Sequence, residues 1–340
     1  MARSKRHHYL PQFHQRLFGV GIDGDRIWVY DKRTDEIDRR PIKNTAVIGN
    51  YYTVPTAAGP DDGLERIFAK IEGAAAPVIR RLCDETGPRF EVDLPSRFAL
   101  GVYLGLLHGR VPATRLASQQ MAEHLAMITL DMRLAHREGF LDEARAVGMT
   151  GTDDQLEAQR VTMLEDLRSG TYQVRAPEQV SLDTVIMGMR DVSPYIASMG
   201  WWLLKRSTFP HYIVGDDPVT VWPSRDQPKY LGAGFATPDA EVSVPLDPET
   251  LLIMGHNMPD GYLFHEETLP GVPWWYAPWP YHYRTWSKAR RFIFGSSRAD
   301  LQAVQFMLTP AERRRPGGGL VVRGGPPEWR GYGPRSPEAA

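Results

Sequence analysis

Phe98-Ala99-Leu100-Gly101-Val102-Tyr103-Leu104-Gly105-Leu106-Leu107 is apolar on every side, so a helix built from it has no face to offer water. The run is far shorter than the roughly 18 apolar residues of a membrane span, and it is therefore read as a helix at the centre of a folded core. Gly101 and Gly105 stand four apart on one face, where the missing side chains let another backbone approach closely. Upstream, residues 63–84 carry Leu64, Ile67, Phe68, Ile71, Ala75, Val78, Ile79 and Leu82 on one side, which predicts an amphipathic helix with a kink from Pro77 near Gly73. Downstream, helices are expected over 112–136 and over 153–167, the latter ending before Gly170, and the apolar stretch 181–206 reads as a further helix interrupted at Pro194.

From Pro210 the pattern changes to short Val/Ile/Tyr runs at 211–214, 219–222, 241–246 and 251–255, separated by Asp-Pro, Gly and Asn turns, as in antiparallel strands. Helices at 283–290 and 298–308 bracket the strand-like Arg291-Phe292-Ile293-Phe294. Gly19-Val20-Gly21-Ile22-Asp23-Gly24 has the spacing of a dinucleotide-binding loop. It lacks a preceding strand and leads into the strand-like Ile27-Trp28-Val29-Tyr30, so it is read as a hairpin turn opening an early β-unit. Residues 311–340 are rich in Arg, Gly and Pro and are expected to be a disordered tail. The fold class is α+β: a small N-terminal β-unit, a helical centre and a C-terminal antiparallel sheet with flanking helices, folded as one domain over 1–310.

With 340 residues, 42% of them hydrophobic, the chain can bury a sizeable core. A net charge of −1 gives no global cationic field, so a nucleic acid or nucleotide would have to be held by a local site, and no membrane contact is expected. The single cysteine, Cys83, excludes an intrachain disulfide and a cysteine-rich zinc site, which fits a cytoplasmic location.

The candidate chemistry starts at Lys5-Arg6-His7-His8-Tyr9-Leu10-Pro11-Gln12-Phe13-His14-Gln15-Arg16-Leu17-Phe18. Pro11 suits the first position of a short helix, and His8, Gln12 and Arg16, four apart, place a titratable ring, an amide and a fixed cation along one flank. Glu65 and Glu72, seven apart, lie on nearly one side of the 63–84 helix, about 10 Å from each other, too far to share one metal. Arg110 follows the buried helix and needs a carboxylate, Glu72 or Asp217. Asp216-Asp217-Pro218 sits in a turn between strand-like runs, where Asp217 can be displayed or can serve only the turn.

Two functions are carried forward. In the catalytic reading His8 is a general acid/base, Glu72 or Asp217 a base or metal ligand, and Arg16 and Arg110 clamp an anionic, phosphodiester-type group with Gln12 beside them. A divalent metal is the cofactor that reading admits. In the other reading the polar cluster is structural and the protein binds or senses a partner, for which the aromatic stretch Trp274–Tyr283 is the candidate surface. The lack of a G-x-S-x-G nucleophile motif favours the second.

Several segments carry a family likeness: His7-His8-Tyr9-Leu10-Pro11-Gln12-Phe13 with Arg16 and Phe18, the turn into Ile27–Lys32, Tyr51-Tyr52 with Leu64-Glu65 to Glu72-Gly73, the helix ending in Arg110, Tyr212–Val219, and the strand pair from Val242 to Leu252. In these the chain resembles the bacterial family catalogued as domain of unknown function 4238. The resemblance implies a bacterial source, no established activity, and an association of some members with defence against phage.

Overall fold

The structure is a computed structural model and describes residues 6–21, 24–56, 59–223, 233–268 and 279–317. In chain order the elements begin with β1 (Arg6–His8), α1 (Gln12–Leu17), β2 (Arg26–Asp31), β3 (Glu36–Pro41), β4 (Val47–Gly49), β5 (Val54–Thr56) and β6 (Gly59–Asp61). The helical centre is α2 (Gly63–Asp84), α3 (Leu94–Arg110), α4 (Pro112–Ala135), α5 (Arg137–Ala146), α6 (Asp153–Ser169), α7 (Glu178–Met187), a π-turn at Gly188–Val192 and α8 (Ser193–Ser198). The remainder is β7 (Gly200–Lys205), β8 (Val214–Gly215), β9 (Thr220–Trp222), β10 (Glu241–Asp247), β11 (Thr250–Gly255), β12 (Tyr262–His265), α9 (Trp279–Lys288), β13 (Phe292–Gly295), α10 (Arg298–Phe306) and α11 (Pro310–Arg314). The fold is α+β with a helical centre and a C-terminal sheet. The described chain divides into two compact units, residues 6–115 with 182–317, and residues 116–181.

In the first unit α3 is the buried axis, with Leu100, Tyr103, Leu104, Leu106 and Leu107 all closed to solvent. Its glycines explain how the neighbouring backbone comes so near. A Cβ on Gly105 would lie 2.2 Å from the Gly188 carbonyl oxygen, one on Gly101 2.9 Å from that of Ser193, and one on Gly109 3.0 Å from that of Thr184. Three glycines at four-residue spacing thus form a groove that receives α7, the π-turn and the start of α8. The helix at 63–84 is present over the expected residues and runs through Pro77.

Two sheets frame this axis. The five-stranded sheet has the order β12-β7-β11-β10-β9 and is antiparallel except for β12, which pairs in parallel with β7. The expectation of a helix through 181–206 fails at its end, because Gly200–Lys205 is strand β7. Trp201 and Leu203 enter the main core while Trp202 and Leu204 enter a second cluster. A strand buried on both faces shows no polar alternation, so its sequence cannot be told from a buried helix.

The four-stranded sheet, order β3-β2-β13-β8, joins the two ends of the chain. The turn before β2 closes with a bridge from Val20 to Arg26, as the hairpin reading requires; Ile22 and Asp23 lie outside the described residues. Lys32, buried after β2, donates its ammonium hydrogens to the carbonyls of Trp286, Ala289 and Arg315, which ties the stretch after α10 to this sheet. The region read as a tail accordingly starts with helix α11, whose Thr309 and Glu312 form a capping box. Residues 318–340 lie outside the described residues.

The second unit is a helical hairpin system. Met127 and Leu134 of α4 pack on Leu167 of α6, and Leu141 and Ala144 of α5 pack on Leu156. A capping box of Thr152 and Gln155 starts α6, and Gly170, at φ +79°, ends it.

Replacing Gly105 by Ala pushes a methyl into backbone that cannot swing away, and is expected to lower stability by about 1–3 kcal/mol. Gly73, inside α2 with nothing within 4 Å of its would-be Cβ, is the control: Gly73→Ala is expected to raise stability by about 0.5–1 kcal/mol. Urea midpoints of the two variants, at unchanged m-value, check both.

Candidate functional site

The N-terminal polar strip forms, but not as one helix. His8 ends strand β1, paired with Val47 of β4, and Pro11 is the N-cap of α1 instead of its first residue. The strand-to-helix corner still lines the three side chains up: Gln12 Nε2 is 3.5 Å from His8 Nδ1, and Arg16 donates to Gln12 Oε1 at 3.2 Å. Burial lowers the pKa of His8, helped by the charges of Arg6 and Arg110, while the carbonyls of Ile42 and Lys43 oppose the shift. His8 Nε2 is buried and has no hydrogen-bond partner among the described residues.

The other two N-terminal histidines have separate tasks. His7 accepts the Tyr52 amide hydrogen on Nδ1 at 2.9 Å and stacks on the Tyr52 ring at 5.5 Å. His14 Nε2 donates to the Pro245 carbonyl at 3.0 Å, so its Nδ1 accepts from Tyr103 Oη at 2.9 Å, and burial pushes its pKa down to about 4. Among the described residues no group of three or more His, Cys, Asp or Glu could hold a metal ion.

Arg110 takes Glu72 as its carboxylate. Nη1 reaches Glu72 Oε1 at 2.8 Å, Nε donates to the Tyr9 carbonyl at 2.9 Å, and the side chain is 1% exposed. Burial works against its charge, but Glu72, with Tyr52 and Tyr103, more than offsets this and raises its pKa. Glu65 lies 3.6 Å from His7, and its carboxyl is pushed up by burial. His8, Gln12, Arg16, Glu72 and Arg110 therefore share one region around the Tyr9 turn.

Asp217 belongs to a different group. Its neighbour Asp216 is consumed by the fold, accepting the amide hydrogens of Arg290, Arg291 and Phe292 at 2.7–2.9 Å. Asp217 is 1% exposed, and Lys288 Nζ, on the last residue of α9, lies 3.3 Å from its Oδ2. Neither Asp217 oxygen receives a well-directed hydrogen bond from a described residue. Burial raises its pKa to about 6, with Lys288 opposing the shift and Asp216 adding to it. The Lys288 charge also acts on His108. Burial, then the Lys288 charge, bring its pKa down to about 3, its Nδ1 is buried without a partner among the described residues, and its ring meets Phe235 edge-on at 5.0 Å. Thr220 Oγ1, at the start of β9, is also buried and unpartnered among the described residues.

A family model described as "Protein of unknown function (DUF4238)" matches residues 6–270. The chain belongs to this family. No curated protein and no solved structure matches it. The matched span of this DUF4238 member holds the N-terminal cluster and Asp217, whereas Lys288 lies beyond it. His108, Lys288 and Thr220 escaped the sequence reading. The signal for His108 was a histidine inside an otherwise apolar helix; Lys288 and Thr220 gave none. Residues 274–278 of the aromatic stretch lie outside the described residues, while Trp279 and Tyr283 pack on the cluster around Trp286.

Two stability outcomes follow from these burials. Glu72→Ala leaves the Arg110 cation uncompensated and is expected to cost about 2–4 kcal/mol, most of it recovered when Arg110→Met is added; urea unfolding of the single and double variants measures the recovery. For Asp217 the folded pKa of about 6 lies above the ordinary 3.8, so between these values the folded state binds more protons and stability falls as pH rises. Asp217→Asn is therefore expected to gain on wild type above about pH 6, by roughly 3 kcal/mol at most, and to lose that gain below about pH 4, read from melting curves across pH.

Proposed function

We propose that this protein is a non-catalytic binding or sensing protein whose N-terminal polar cluster holds the fold together. The observation that carries this reading is the commitment of Arg110. A guanidinium that is 1% exposed, paired to Glu72 and bonded to the Tyr9 carbonyl, is spent on joining α3, α2 and the first turn, and cannot also clamp a phosphodiester presented from solvent. The proposed base is divided in the same way, with Glu72 taken by Arg110 and Asp217 in a separate group beside Lys288.

One observation supports a second reading, a hydrolase of nucleic-acid or nucleotide phosphodiesters acting in phage defence. His8 keeps a pKa lowered by burial, which favours the neutral imidazole from which a histidine takes part in proton transfer. Incubation of the purified chain with DNA, RNA and nucleotides in Mg²⁺ or Mn²⁺ separates the two. The expected result is no turnover by wild type. Metal-dependent degradation that disappears in a His8→Ala variant with unchanged melting temperature would replace the binding reading with the hydrolase.

A further inference from the structure

Strand β3 ends the four-stranded sheet. Among the described residues it pairs only with β2, so the other side of its backbone has no strand to bond to. Along this strand lies an open groove of about 540 Å³, lined by Asp35 to Asp38 on the β3 side and by Arg298, Gln302 and Gln305 of α10 on the other. The three α10 residues are four and three apart, so they form one face of the helix. α10 is held on the sheet by Leu301 and Val304, which share a cluster with Tyr30 and Ile293. A groove between a free sheet edge and a helix fixed on the same sheet suits an extended peptide. Its main chain bonds to the edge, and its alternate side chains meet the helix.

Side-chain directions narrow what that peptide is. Ile37 packs on the cluster that α10 covers, whereas Asp38 is ion-paired with Arg40, which lies over the Phe292 ring at 5.3 Å. Strand alternation therefore turns Glu36 and Asp38 away from α10, and the backbone edge of this stretch faces the groove. On the α10 side the Asp35 carboxylate is already matched: it accepts from Tyr30 Oη at 2.6 Å and Gln305 Nε2 at 3.0 Å, and Arg314 stands 3.5 Å away. Arg298 and Gln302, both exposed, have no side-chain hydrogen bond or ion pair among the described residues, which leaves a spare cation on this side. Exposed Glu36 is unpaired in the same sense and leaves a spare carboxylate on the opposite face. One turn beyond Gln302, Phe306 is 84% exposed and adds an apolar surface to the α10 wall. Charges on an edge strand discourage indiscriminate pairing. Here they also select, because like charges facing each other across a strand pair are destabilising.

We propose that the β3 edge and α10 form a docking groove for an extended segment of a partner protein, one that turns acidic and apolar side chains towards α10 and basic ones to the opposite face. The proposal rests on the binding reading of the protein and gives that reading a partner class.

The capped peptide Thr-Val-Lys-Glu-Lys-Val-Thr has this alternation and reads the same from either end, so its fit does not depend on strand direction. Titrated into the full chain, it is expected to bind with Kd below about 1 mM and to slow hydrogen exchange in residues 36–40. Thr-Val-Glu-Lys-Glu-Val-Thr, with the charges exchanged, is expected to bind about tenfold more weakly. In a variant carrying both Glu36→Lys and Arg298→Glu the preference is expected to invert at unchanged circular dichroism. No binding of either peptide, binding that leaves exchange in 36–40 unaltered, or a preference that the variant keeps overturns the groove. The non-catalytic reading survives each of these results, since it fails only on metal-dependent turnover of nucleic acid or nucleotides. A free chain that sediments as a dimer, with 36–40 protected before any peptide is added, places a second copy on the edge and overturns the partner segment.

Discussion

The close approach of backbone to α3 is the constraint on which the first unit depends. With Gly101, Gly105 and Gly109 facing the π-turn and its flanking helices, that side of α3 has no side chains, and its specificity comes from shape. The rest of the helix surface must then carry the recognition of everything else. Tyr103 fixes His14 and through it the Pro245 carbonyl of β10, and Arg110 fixes Tyr9 and Glu72. Arg110 also lies at the helix C-terminus, where the helix dipole favours a cation.

Charge is buried repeatedly in this unit, and the way each charge is matched distinguishes scaffold from candidate site. Lys32 is surrounded by three carbonyl oxygens, Asp216 by three amides, and Arg206 by Glu266 and the carbonyls of Phe209 and Pro210, with Tyr212 donating to the same Glu266. Each of these arrangements connects segments distant in sequence and leaves little hydrogen-bonding capacity over. Asp217 with Lys288 follows another pattern, a single ion pair with open acceptors and a titration brought close to neutrality. A buried charge left partly unmatched costs stability that the scaffold charges do not cost, and such a cost is commonly found at functional positions.

Much of the candidate region was legible because its side chains are close in sequence or lie on one regular element. His8, Gln12 and Arg16 are near neighbours, and their contacts survive the change from helix to strand-plus-helix, since a four-residue step across Pro11 still brings the side chains together. Glu72 as the partner of Arg110 was one of two carboxylates named from the need of a buried guanidinium. Asp217 was singled out by its turn, but its company was not, because Lys288 is 71 residues later. No local spacing encodes a meeting of that kind.

By itself the sequence determined where the amphipathic 63–84 helix and the all-apolar helix ending in Arg110 run, that the latter must be central and receive another backbone, and that a sheet follows towards the C-terminus. These follow from periodicity and side-chain size, which act within a few residues. Tertiary structure alone decided that Gly200–Lys205 is a strand, that β12 runs parallel to β7, and that β13 joins β2 to close the chain's two ends into one sheet. It also decided which charges meet, since a strand's conformation and a carboxylate's partner depend on which remote segment arrives to hydrogen-bond with it.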